Sequence, residues 1–236
     1  MTHNSQISSE HRPIAGILFC VFALLLFAIQ DSIIKGLSQT YPLLEIISIR
    51  ATMVFLLLLV IGIYLKGPGV VIGRQHLPML LRGLLAFFAF TTYYLALQTI
   101  PLADAAAVYM TAPLFVTLLS ALLLSERVGL HRWAAVLTGF AAVLFMLDPG
   151  SSLFRIEAAM PLFSALCYAM IPIINRRIGM SEHALTMAIY TTFTYLCLVL
   201  LVSAVIHLLP ESQAKIGVIA ALMRHWVVIS HGDLML

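Results

Sequence analysis

Seven apolar runs, at approximately residues 14–34, 44–65, 77–97, 102–124, 130–147, 158–178 and 184–208, fill nearly all of this chain and leave only short polar links between them. A helix needs roughly 20 apolar residues to cross about 30 Å of hydrocarbon, and hydrocarbon offers no partner for a free backbone amide. A pattern repeated this often leaves one fold class, an all-α integral membrane protein of about seven transmembrane helices. The hairpin from Pro101 to Pro149 displays it best, with two long runs joined by the charged link SERVGLHR. A chain that is 62% hydrophobic and 10% charged, with a mean hydropathy of +1.05, has too much apolar surface for a water-soluble core to hide.

The polar minority excludes several function classes. The formal net charge is only +3, and the basic residues stand singly or in pairs between runs. They are placed as topology determinants, and a nucleic-acid partner is not expected. Cys20, Cys167 and Cys197 lie inside apolar runs at no metal-ligand spacing, so they are expected to be small buried residues, with no metal site and no cofactor. There is no H-E-x-x-H, no G-x-S-x-G and no catalytic carboxylate pair in an apolar run, so no catalytic residue is named and an enzyme is not expected.

Topology follows from the basic residues. Arg12, Lys66, Arg74, Arg127, Arg132, Arg176 and Arg177 fall on one side, and Lys35, Arg155 and Lys215 on the other. That bias places the N-terminus in the cytoplasm, with residues 1–13 as a polar tail and the first run as a retained helix. Laid over each other without gaps at an offset of 141 residues, the first two runs resemble the sixth and seventh: Phe27-Ala28 falls on Tyr168-Ala169, Ile33 on Ile174 and Lys35 on Arg176. Start to start, the copies are five helices apart, an odd number, so they run in opposite directions through the membrane, as inverted repeats do. The expected organisation is a five-helix repeat over 14–150, two helices of an inverted second repeat over 151–210, and an atypical tail over 211–236 that Arg224 and His225 interrupt.

Several marks occur in a fixed order: Arg50 early in the second run, LLRG at Leu80–Gly83, IPLADA at Ile100–Ala105, TAPLF at Thr111–Phe115, SER at Ser125–Arg127 and GFAAVLFMLDPG closing the fifth run. In these the chain resembles a bacterial member of the drug/metabolite transporter superfamily, EamA-like branch. Within that branch it is most similar to proteins described as S-adenosylmethionine uptake transporters, although amino-acid and drug exporters share most of the pattern. The resemblance implies a secondary transporter of small metabolites in the bacterial inner membrane, working by alternating access through a cavity between two inverted five-helix repeats. Helices eight to ten of that plan are not in this sequence. The alternative expectation is therefore a truncated, non-transporting protein, or a subunit that completes its bundle with a partner, for which a homodimer is one solution.

Charged groups within the bilayer cost roughly 2.5 to 3.5 kcal/mol each at mid-depth, so those that persist normally face a cavity or a partner. Asp31 is a candidate cation- or proton-binding carboxylate, or else an ion-pair partner of Lys35 one turn away. Arg50 is a candidate clamp for a substrate carboxylate or phosphate, or else a partner of Asp31. Thr91, Tyr94 and Gln98 form a polar stripe suited to an amphipathic or cationic solute, or to hydrogen bonds between helices. Tyr109 and Thr111 continue the site on the fourth run, and Tyr168 and Asn175 on the sixth. Pro113 and Pro172 are expected hinges, with Pro172 breaking its helix near Asn175. Asp104 is expected to cap its helix, and Glu126 to pair with Arg127. The expected partners are thus the lipid bilayer and a small-molecule solute.

Overall fold

The computed structural model describes residues 13–126, 128–147, 156–178 and 182–208. Eight helices are seen among them: α1 (Pro13–Leu37), α2 (Leu43–Lys66), α3 (His76–Thr99), α4 (Leu102–Tyr109), α5 (Ala112–Leu123), α6 (Leu130–Leu147), α7 (Ile156–Ile178) and α8 (Ala184–Leu208), with one 3-10 turn at Pro68–Val71. Six spans are long and apolar enough to cross a membrane, α4 and α5 together forming the one at Leu102–Leu123, and Leu130–Phe145 of α6 is a shorter apolar helix. The protein is an all-helical, multi-pass membrane protein, and each expected run is helical, the run at 102–124 being divided into α4 and α5. The expectations for the N-terminal tail up to Arg12 and for the tail after Pro210 lie outside the described residues.

Breaker residues set the helix ends. Pro42 and Pro101 hold extended backbone (ψ 134° and 144°) immediately before α2 and α4, as expected of a ring that fixes φ and has no N–H to donate. Gly67 ends α2 at φ +76°, a left-handed conformation that a side chain would strain, and its N–H closes the last turn on the Ile63 carbonyl at 2.8 Å. The α4–α5 interruption has the same origin as these stops. Pro113 has no N–H for the Tyr109 carbonyl, so the chain tightens at Met110–Thr111, where Thr111 N–H turns back to Val108 at 3.0 Å and Leu114 N–H restarts the ladder on Thr111 at 2.9 Å.

Pro172 behaves differently from the sequence expectation. α7 continues through both Pro161 and Pro172 to Ile178. Packing explains the continuity: α7 lies against α3 along its length and against α4 and α5. The Ser164 hydroxyl, fully buried, also donates to the Ala89 carbonyl of α3 at 2.5 Å. Contacts on both sides of the proline outweigh one missing ladder bond.

The core is α3. Over half of its membrane window (56%) is buried, against 22% for α2 and α8 and 6% for α1. Small residues make this possible: Ala86, Ala89 and Ala96 are buried, and Gly83 sits so close to α8 that a Cβ there would run into Thr194. Membrane helices associate by such close packing because lipid tails supply no hydrophobic drive between them. α1, by contrast, packs chiefly on α3 and α4 among the described residues, and Ile17, Phe19 and Leu24 are among its many exposed side chains. Of the cysteines, only Cys167 is buried; Cys20 and Cys197 face outward, correcting the expectation for those two.

Leu37 and Ile178 end α1 and α7, Leu43 and Ala184 begin α2 and α8, and each pair is 141 residues apart, the offset of the sequence overlay. Polar ties join the helix ends. Lys35 does not pair with Asp31; its ammonium donates to the Leu97 and Ile100 carbonyls at 3.2 and 2.6 Å and so closes the end of α3. Asp104 is exposed and caps nothing, α4 having no side-chain cap. Glu126 pairs with Arg176 of α7 at 2.5 Å, and its expected pair with Arg127 lies outside the described residues. Both partners of this pair are about half exposed (50% and 45%), so it is worth under about 1 kcal/mol.

Gly83→Val tests the packing of α3. It is expected to lower the unfolding free energy by about 1 to 3 kcal/mol through overpacking against Thr194, whereas Gly36→Ala, which meets nothing, changes it by less than about 0.5 kcal/mol. Unfolding of the purified protein in mixed micelles measures both.

Candidate functional site

Five aromatic rings from three elements meet beside α1 and α2. On α3, Phe90, Tyr93 and Tyr94 stand at i, i+3 and i+4 and so share one face of the helix, where Phe90 and Tyr94 stack with centroids 6.3 Å apart. Tyr93 and Tyr94 lie with ring centroids 5.6 Å apart, Tyr93 and Tyr109 of α4 5.0 Å, Tyr109 and Tyr168 of α7 5.7 Å, and Phe90 and Tyr168 6.3 Å. Such edge and tilted contacts favour a fixed aromatic wall.

Two charged residues border this wall. Tyr93 donates its hydroxyl proton to Asp31 Oδ2 at 3.1 Å. The Tyr94 hydroxyl, on a side chain only 1% exposed, accepts from Gln30 Nε2 at 2.9 Å and from Arg50 Nη1 at 3.1 Å. The Arg50 guanidinium also lies over two rings, 5.6 Å from the Phe90 centroid and 5.7 Å from that of Tyr94. Cation–π contact of this kind is worth about 0.5 to 2 kcal/mol, the upper figure when desolvated. Among the described residues no ion pair joins Asp31 to Arg50; each is instead bonded to one of two adjacent tyrosines.

The far side of Arg50 opens into a cavity of about 90 Å³ bounded by Arg50 and Val54 of α2, Ala86 and Phe90 of α3, and Thr191 and Tyr195 of α8. Phe90 and Tyr195 close one wall with centroids 6.1 Å apart. The hydroxyls of Tyr195 and Thr91 adjoin each other there, but neither makes a properly directed hydrogen bond.

The structure therefore gathers Asp31, Arg50, Tyr94, Tyr109 and Tyr168 into one cluster, with Thr91 at its edge. Gln98, one turn beyond Tyr94 on α3, makes no hydrogen bond to it among the described residues. Thr111 is buried at the α4–α5 interruption and donates its proton to the Val108 carbonyl at 2.8 Å, so it serves the backbone there. Asn175 is two turns past Tyr168, with its Oδ1 buried and unpartnered. Tyr93, Phe90 and Tyr195 complete the site without having been singled out as site residues. The signal for Tyr195 was its i+4 spacing from Thr191, which puts a phenol on the α8 face that meets α3.

The comparisons with known proteins bear on what such a site serves. Residues 14–148 match the model of the EamA-like transporter family. The chain is 32% identical over 178 residues to a pseudopaline exporter of Pseudomonas aeruginosa, covering 75% of this chain and 62% of the relative. It is 31% identical over 191 residues to a riboflavin transporter of Vibrio cholerae (78% and 63%), and 28% identical over 176 residues to an S-adenosylmethionine uptake transporter of Rickettsia prowazekii (75% and 60%). The chain thus spans less than two thirds of the length of these relatives. No solved structure matches it.

The tie between α2 and α3 is measurable. A double-mutant cycle of Arg50→Gln and Tyr94→Phe should give a coupling of about 1 to 2 kcal/mol in unfolding experiments, since it combines a charge-assisted hydrogen bond with ring contact. Coupling below about 0.3 kcal/mol would mean that the two side chains are not held together.

Proposed function

This chain belongs to the EamA-like transporter family, and from that premise we propose that it moves small organic metabolites across the bacterial inner membrane by alternating access, with its N-terminus in the cytoplasm. The observation that carries the reading is the aromatic cluster of Phe90, Tyr93, Tyr94, Tyr109 and Tyr168, set within membrane-crossing helices and bordered by Asp31 and Arg50. Rings offering hydroxyls suit a flat or heteroaromatic solute, whose faces stack while its polar edges find partners. That chemistry accords with relatives named for transport of riboflavin and S-adenosylmethionine. The interruption between α4 and α5 lies next to Tyr109, so a small change of angle there moves one wall of the cluster. Pro113 is the hinge of this reading.

One observation favours a second reading, that the chain acts as a subunit of a larger bundle. α1 carries Asp31 to the cluster, yet the rest of its surface has little protein against it, and Tyr168 is 39% exposed although it is part of the wall. A second copy or another helical subunit against α1 would enclose the solute path. Cross-linking in native membranes separates the readings, because flux through a chain that stays monomeric contradicts the second.

The transport reading is tested in vesicles with labelled S-adenosylmethionine and labelled riboflavin. The expected result is saturable flux of at least one of them, which Asp31→Asn reduces by about tenfold or more, the loss of a charge-assisted contact, at unchanged membrane abundance. Wild-type flux in that variant would remove Asp31 from the path.

A further inference from the structure

Resting on the transport reading, we propose that the cavity between α2, α3 and α8 is a carboxylate site, in which Arg50 and Tyr195 hold the acid group of a small organic solute. The argument begins with the charge of Arg50. It lies seven residues inside α2, about 10 Å from the helix start at 1.5 Å per residue, and its guanidinium stays protonated in proteins. Among the described residues no carboxylate comes within ion-pair distance of it. Its contacts are two ring faces and one hydroxyl, which employ a single N–H of the five that the group carries. The remaining donors border a space that no anionic side chain lines among the described residues.

A second group points the same way. Tyr195 lines the cavity, is 6% exposed, and has a hydroxyl with no properly directed partner. A buried polar group left so is costly, and a ligand atom accepting its proton would supply the missing partner. The two threonines of the wall do not compete for that role, since Thr191 and Thr192 already donate to the Met187 and Ala188 carbonyls at 2.7 and 2.9 Å. Among the described residues, the donors left without a full set of partners at the cavity are thus a guanidinium and a phenol, a set that selects an oxyanion over an ammonium or an amide. The remaining walls, Ala51, Val54, Ala86 and the Phe90 face, are apolar and suit the carbon frame next to the acid.

The cavity is part-open beside Val54, which is exposed, so an anionic lipid headgroup is the competing source of an oxyanion. The experiment is ligand-observed saturation-transfer NMR on the full chain in neutral detergent, with benzoate as probe and benzamide and benzylamine as its neutral and cationic counterparts. Benzoate is expected to give a signal that Arg50→Gln weakens about tenfold or more and Tyr195→Phe about threefold, with neither counterpart binding. Arg50→Lys, which keeps the charge but loses the fork, should retain part of the signal. If Arg50→Gln does not fold, judged by its melting, the Lys and Phe variants carry the comparison. Benzamide binding as well as benzoate, or variants that bind benzoate like the parent, would overturn the proposal. In nanodiscs, replacing phosphatidylcholine by phosphatidylglycerol should leave the benzoate signal unchanged; displacement assigns the cavity to lipid and overturns the solute site. Benzoate binding without flux would leave this site standing and remove the transport reading, and flux without benzoate binding would do the reverse.

Discussion

Close approach of α3 to α7 and α8 is the constraint on which the other features depend. In lipid there is little hydrophobic gain in bringing two apolar helices together, so contact depends on backbones near enough for dispersion and for short polar bonds. Gly83 against Thr194 and the Ser164 hydroxyl on the Ala89 carbonyl are such contacts. They fix which way α3 faces. Once it is fixed, Tyr93 and Tyr94 point toward α1 and α2, and Phe90 sits between Tyr168 and Tyr195.

Polar chemistry in the bundle is graded by depth. At the helix ends the charged groups satisfy one another or the last carbonyls, as Lys35, Glu126 and Arg176 do. Inside the spans, Asp31 and Arg50 are each held by a tyrosine, with no ion pair between them among the described residues. Two opposite charges thus stand within membrane-crossing helices, where each is expensive to bury.

Much of this architecture is legible in the sequence, and the reason is physical. A span must be apolar over its whole length, so run length alone locates the helices to within a few residues. Which face of a run meets protein is less visible, because lipid-facing and protein-facing surfaces are both apolar. Only its spacing from Thr191 sets Tyr195 apart from a lipid-facing aromatic, and nothing in the sequence marks the Thr111 hydroxyl as bonded to its own backbone. Nothing local marks Arg176, fifty residues on, as a partner of Glu126. Pro172 was read by local rule, and tertiary packing against α3 overrode that rule.

The central claim is that the aromatic cluster lines a path which water and solute reach from within the bundle. Thiol accessibility tests it most directly, in a background where Cys20, Cys167 and Cys197 are replaced by alanine. Tyr109→Cys, in the cluster, should react with a small charged methanethiosulfonate from the aqueous phase. Met53→Cys, on the outward face of α2 and 68% exposed to what would be lipid, should not. Equal reactivity of the two, or a Tyr109→Cys thiol that stays unmodified, would contradict a solute path through these residues.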